Sequence, residues 1–169
     1  LQRIHQLSDG AVVRLILPAA DAKVGSLAVL VEGINALTDS QIAEMQRGLG
    51  RSLEIDRDLT GFYALVAQHP RYAWIEQLGA GRLLSTPSVF EDLVKTLFTT
   101  NTTWRMTIQM TERVVTLGDA YASGGHAFPT PQRLANMSVE DLNAHVRAGY
   151  RGDYLHLLAT RIANGELEV

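Results

Sequence analysis

Apolar and polar positions change period along this chain. In AVVRLILP (residues 11–18) Val12, Arg14 and Ile16 alternate with Val13, Leu15 and Leu17, the two-residue period of a strand. SLAVLVEG (26–33) repeats it after a loop containing Asp21 and Gly25, so two antiparallel strands are expected. From there the period becomes helical. Thr38 followed by Gln41 forms a capping box before Ile42, Met45 and Leu49, with Gly50 as the expected stop. Leu59, Phe62, Tyr63 and Val66 mark another helix, broken at His69-Pro70, and YAWIEQL a short one ending at Gly79.

The second half is helical with glycine and proline in its loops. SVFEDLVKTLF places Phe90, Leu93, Val94, Leu97 and Phe98 on one wide apolar face, and Glu91 with Lys95 a turn apart on the other. A helix starting near Thr103 carries two apolar rows, Trp104, Ile108 and Val115 beside Met110, Val114 and Leu117, up to Gly118. Pro131 opens a short helix, Ser138 with Asp141 caps another that stops before Gly149, and the last aligns Tyr154, Leu155, Leu158 and Ile162 before Gly165. The fold class expected is α+β, a small antiparallel sheet with helices followed by a mostly helical array. The division falls into a partial N-terminal α+β domain, 1–78, and an incomplete helical domain, 79–169. No internal repeat interrupts it.

Composition narrows the chemistry. With 169 residues, 46% hydrophobic and 20% charged, the chain has the balance of a globular protein. No apolar run approaches the roughly eighteen residues of a membrane span, and LQRIHQLSDG lacks the features of a signal peptide, so no membrane partner is expected and the cytoplasm is the expected compartment. The absence of cysteine excludes disulfides and thiolate chemistry from these residues. The histidines His5, His69, His126, His145 and His156 include no i, i+4 pair, so no metal is assigned, and no cofactor: GAGRLL (79–84) lacks the preceding strand and third glycine of a dinucleotide fingerprint. A net charge of −3 is the wrong sign for a simple polyanion binder, yet the cations are nearly all arginine, and a local arginine patch acts within a neutral chain.

Two stretches carry candidate chemistry. Between two apolar helices stands TTNTT (99–103), small polar residues that cap the following helix or present hydroxyls and N–H groups to a phosphate or base edge, with Arg105 one turn in. In AGYRGDY (148–154) Gly149 precedes Tyr150 and Arg151. The aromatic either packs back on the core or stacks into a duplex, and the arginine is either solvated or hydrogen-bonded to a base. Acidic pairs are structural in this reading: Glu91 and Asp92 diverge by about 100° on a helix, and Asp56 and Asp58 favour a helix start.

The order GAGRLLSTPSVFEDLVKTLFTTNTTWRM, then HAFPTPQRLA, then AGYRGDYLHLLATRIANGEL resembles the helix-hairpin-helix base-excision DNA glycosylase superfamily. It is most similar to the 8-oxoguanine and bacterial 3-methyladenine glycosylase II branches, over residues 52–169. The resemblance implies a base-excision repair enzyme that flips and removes a damaged purine from duplex DNA, with nucleic-acid contacts at Asn101, Thr102, Thr103, Arg105, Tyr150 and Arg151. It implies that Asn101 fills the place of the flipped base, that Tyr150 is the aromatic wedge, and that Arg151 contacts the orphaned cytosine. The sequence departs from the family where a second cytosine-reading arginine is expected, at Met106. It also contains no Leu-Pro-Gly-Val-Gly hairpin, catalytic lysine or catalytic aspartate, and no counterpart, before Leu1, of the family's base-reading N-terminal stretch. The expectation is a fragment trimmed at both ends, with no catalytic residue and no excision activity of its own. The alternative is a non-catalytic DNA-damage binding or scaffold module without the hairpin.

Overall fold

The computed structural model describes residues 1–18 and 27–169; the expected loop with Asp21 and Gly25 lies outside them. Strands β1 (Gln2–Gln6), β2 (Val12–Ile16) and β3 (Leu30–Glu32) form an antiparallel sheet in that order. β2 and β3 are the two expected strands, with β3 shorter than its apolar run, pairing Arg14 with Glu32 through Ile16 with Leu30. β1 was not expected: QRIHQ has a single apolar residue and no two-residue period, and it is held as a strand by full pairing with β2.

Helix α1 (Asp39–Leu53) starts at the Thr38–Gln41 capping box, and its Met45 joins Leu7, Val13 and Leu15 in a small core against the sheet. It does not stop at Gly50 but runs to Leu53 and ends at Glu54 in a left-handed conformation. A glycine inside a helix costs only about 1 kcal/mol, less than the packing of the flanking turns returns. Helices α2 (Thr60–Val66) and α3 (Ala73–Gln77), separated by a 3-10 turn at Pro70–Tyr72, follow as short pieces.

The larger core belongs to α4 (Val89–Thr99), α5 (Trp104–Val115), α6 (Pro131–Ala135), α7 (Val139–Val146) and α8 (Arg151–Ala163). Phe90, Val94, Phe98, Met110, Val114, Leu134, Leu142, Val146 and Leu155 meet there with almost no exposed surface. The architecture is α+β with mostly helical content, as expected.

Two faces differ from the sequence reading. Glu91, placed on the outer face of α4, is only 3% exposed. Arg3 reaches it from β1 at 2.5 Å, and Lys95 at 2.6 Å, so the unexpected strand covers that side of the helix. On α5 the buried residues are Thr107, Met110 and Val114, whereas Trp104 and Ile108 are exposed. Adjacent apolar rows on a helix are equivalent in periodicity; the neighbour chooses between them, and here the Thr107 hydroxyl donates to the Phe98 carbonyl oxygen at 2.9 Å and draws that row inward.

Candidate nucleic-acid interface

The polar run joins the end of α4 to the start of α5. Three of its five residues serve the backbone: the Thr99 hydroxyl donates to the Thr96 carbonyl at 2.7 Å, the Thr100 hydroxyl to Leu97 at 2.8 Å, and Thr103 caps α5 by accepting from the Met106 N–H. Asn101 stands at φ 42°, a left-handed conformation that asparagine tolerates better than most residues. That turn directs the carbonyls of residues 100 and 101 inward and leaves the Asn101 side chain exposed, since Asn101 enters the hydrogen-bond network through its carbonyl.

The second stretch turns between α7 and α8. Gly149 takes φ 61°, which a side chain would strain, and Gly152 sits where an added Cβ would overlap the Asn143 side-chain amide, so α8 starts in close contact with α7. Between these glycines the chain presents Tyr150 outward, 52% exposed, and turns Arg151 inward, 8% exposed.

Arg151 joins the two stretches. Its Nε donates to the Thr100 carbonyl at 3.0 Å, its Nη2 to the carbonyls of Thr100 and Asn101, the latter at 2.8 Å, and its Nη1 to the Ala148 carbonyl at 3.3 Å. Tyr150 lies over the guanidinium at 4.6 Å and meets Tyr154 edge to face at 6.2 Å, so its ring is held from two sides. The sequence reading pointed Arg151 outward at a base; the structure buries it against protein carbonyls contributed fifty residues earlier.

Of the expected residues, Asn101, Thr103 and Arg105 are exposed, Thr102 half-buried, and Tyr150 exposed beside them through the Arg151 link. Thr103 is committed to its cap. Two side chains were missed. Trp104, 72% exposed, stands at the first turn of α5 beside the tip, and Tyr154 supports Tyr150 one helical turn on. The i, i+4 spacing of the two tyrosines was the available signal; for Trp104 none was, because its apolar row resembled core.

Arg151 carries its charge against neutral carbonyls, with no carboxylate among its partners, and the nearby Asp153 is turned to the Asn143 amide at 3.4 Å. An exposed amide, fixed aromatic rings and the N-terminus of α5 suit a nucleic-acid strand better than a small polar metabolite. Among the described residues no cluster of three acidic or histidine side chains could hold a metal, and no helix is long and apolar enough to cross a membrane.

An open α+β chain with a helical array and a polar α4–α5 tip locked to the start of α8 has the fold of DNA glycosylases. The chain superposes on MBOgg1 in complex with a low-affinity DNA ligand, with TM-score 0.63 and 19% identity over 99% of this chain and 57% of that one. It matches the Clostridium acetobutylicum 8-oxoguanine glycosylase/lyase, in complex with dsDNA containing cytosine opposite 8-oxoG, at TM-score 0.59 and 23% identity over 98% and 57%. The 3-methyladenine DNA-glycosylase from Archaeoglobus fulgidus gives TM-score 0.66 and 18% identity over 94% and 54%. The chain therefore spans a little over half the length of these structures. No protein-family model and no curated protein matches its sequence.

Proposed function

We propose that these residues form the duplex-distorting part of a base-excision DNA glycosylase, the part that opens duplex DNA at a damaged purine. The observation that carries this reading is the joining of the Thr100–Asn101 tip and the Tyr150 corner into one exposed edge by Arg151. Extruding a base costs on the order of a few kcal/mol. An amide entering the gap and aromatic rings stacking beside it offset that cost, and a damaged base lowers it at the outset. Asn101 is the gap-filling group, Tyr150 the wedge, Trp104 a second stacking surface, and Arg105 with Thr102 the phosphate contacts.

Chemistry is a different matter. Glu91, the one buried carboxylate among the described residues, is engaged by Arg3 and Lys95. No residue of the edge is given a part in cleaving the N-glycosidic bond, and the pure chain is expected to release no base from oxidised or alkylated duplexes; measurable release would overturn that expectation. Binding is the positive test. Affinity for a duplex with an abasic-site analogue should exceed that for the same duplex intact, with a shallow salt slope of about −2 for roughly two phosphate contacts. Equal, salt-insensitive, negligible binding to both would remove the nucleic-acid role.

A further inference from the structure

A guanidinium has five N–H donors in a rigid plane. Arg151 commits four of them to the chain itself: Nε on the Thr100 carbonyl, both Nη2 hydrogens on Thr100 and Asn101, and one Nη1 hydrogen on Ala148. These acceptors lie in two segments far apart in sequence, so the side chain braces the tip against the corner. It also fixes Tyr150, whose ring rests on the guanidinium plane at 4.6 Å. Reading a base edge with arginine takes two outward N–H groups side by side. Arg151 has one uncommitted N–H and 8% exposure, and so does not present such a pair.

Elsewhere on the edge the exposed Arg105 is assigned to a phosphate under the proposed function, and the remaining side chains have little to read with. Met106, 38% exposed one residue past Arg105, has no donor. Tyr150 and Trp104 offer ring faces, on which any base stacks. The Asn101 side chain carries both donor and acceptor, so rotating its amide suits either kind of base edge.

We infer that Arg151 is a positioning residue that locks Asn101 and Tyr150 into one edge, and that this edge senses the gap in the duplex without selecting the base opposite it. The inference rests on the DNA-facing reading of the edge for its second half; the first half concerns the chain alone.

The test measures affinity for duplexes carrying a tetrahydrofuran abasic analogue opposite C, A, G or T, and amide hydrogen exchange across residues 99–103. The wild-type chain should bind the four within about threefold of one another, because no bidentate base contact distinguishes them. Arg151→Ala should weaken all four alike, by about tenfold or more, and speed exchange at the tip amides by a similar factor. Arg151→Lys keeps the charge, reaches fewer carbonyls and should fall between the two; it carries the same test if the alanine variant does not fold.

A preference of about tenfold for one opposite base, lost in Arg151→Ala, would identify a base reader and overturn the inference. Unchanged tip exchange in both variants would overturn the positioning role whatever DNA does. If the wild type does not distinguish abasic from intact duplex, the proposed function fails and base indifference falls with it, while exchange still decides the positioning role.

Discussion

The two ends of helix α4 each hold a buried charge, and they hold it in opposite ways. At the first turn Glu91 is met by Arg3 and Lys95, a carboxylate held between two partly exposed cations where β1 meets the helical array. Nine and ten residues on, about 14 Å along the axis, Arg151 is met by the carbonyls of Thr100 and Asn101, just past the last turn of the helix. Those carbonyls sit at the negative end of the α4 dipole, which favours a cation but does not neutralise it. The first arrangement joins two parts of the fold through ion pairs. The second fixes two loops behind exposed aromatic and amide groups and uses no carboxylate.

If the ends do separate work, damage to each should show in a different assay. The largest effect is expected at the sheet end. Glu91→Ala strands Arg3 and Lys95 and should cost about 3 kcal/mol in urea unfolding, at the low end for buried pairs because both cations are partly exposed. Its preference for abasic over intact duplex should not change. At the other end Tyr150→Ala should lower affinity for the abasic duplex by about 1–2 kcal/mol, with unfolding free energy within about 0.5 kcal/mol of wild type since the ring is half exposed. Equal loss on intact duplex would reduce Tyr150 to a general contact.

Asn101→Gly refines the picture further. Glycine accepts φ 42° without strain, so the turn survives while the amide is lost. Abasic-duplex affinity should drop by about 1 kcal/mol with tip exchange unchanged. Asn101→Ala should additionally destabilise the turn by about 1 kcal/mol.

The smallest effect is a pH dependence at the sheet end. Burial, then repulsion from Arg3, pushes the His5 pKa below 6.5, against the pull of Glu44 and Glu91. The unfolded chain therefore binds this proton more readily than the folded one, and stability falls as pH drops below about 6.5. Burial acts to raise the Glu91 pKa, but Arg3 and Lys95 outweigh it and hold the group below its ordinary value. That contribution is present above the ordinary carboxylate value and is lost as pH falls through the folded one. His5→Asn should flatten the first window and spare the second in urea titrations at stepped pH.

What could be read from the sequence was local. Thr38, Thr103 and Ser138 cap the helices that follow them as expected, and Ser88 and Thr130, not singled out beforehand, do the same, because a capping hydroxyl finds its partner within three residues. β2 and β3 announced themselves by alternation. β1 could not, with only Ile4 apolar, and without β1 nothing indicated that Glu91 is covered. The same limit applies at the edge: the nearness of Asn101 and Tyr150 followed from the resemblance, whereas the direction of Arg151 depends on carbonyls of residues 100 and 101 that no local pattern connects to it. Trp104 looked like core because periodicity cannot say which of two neighbouring rows a helix turns inward.

Amide hydrogen exchange of the whole chain, with and without a duplex carrying an abasic analogue, tests the edge most directly. Protection should appear in residues 99–105 and 148–154 together and nowhere else as strongly. Protection centred instead on the cleft between β1, α1 and the start of α4, where Arg3, His5 and Arg47 line the opposite end of that helix, would contradict the account.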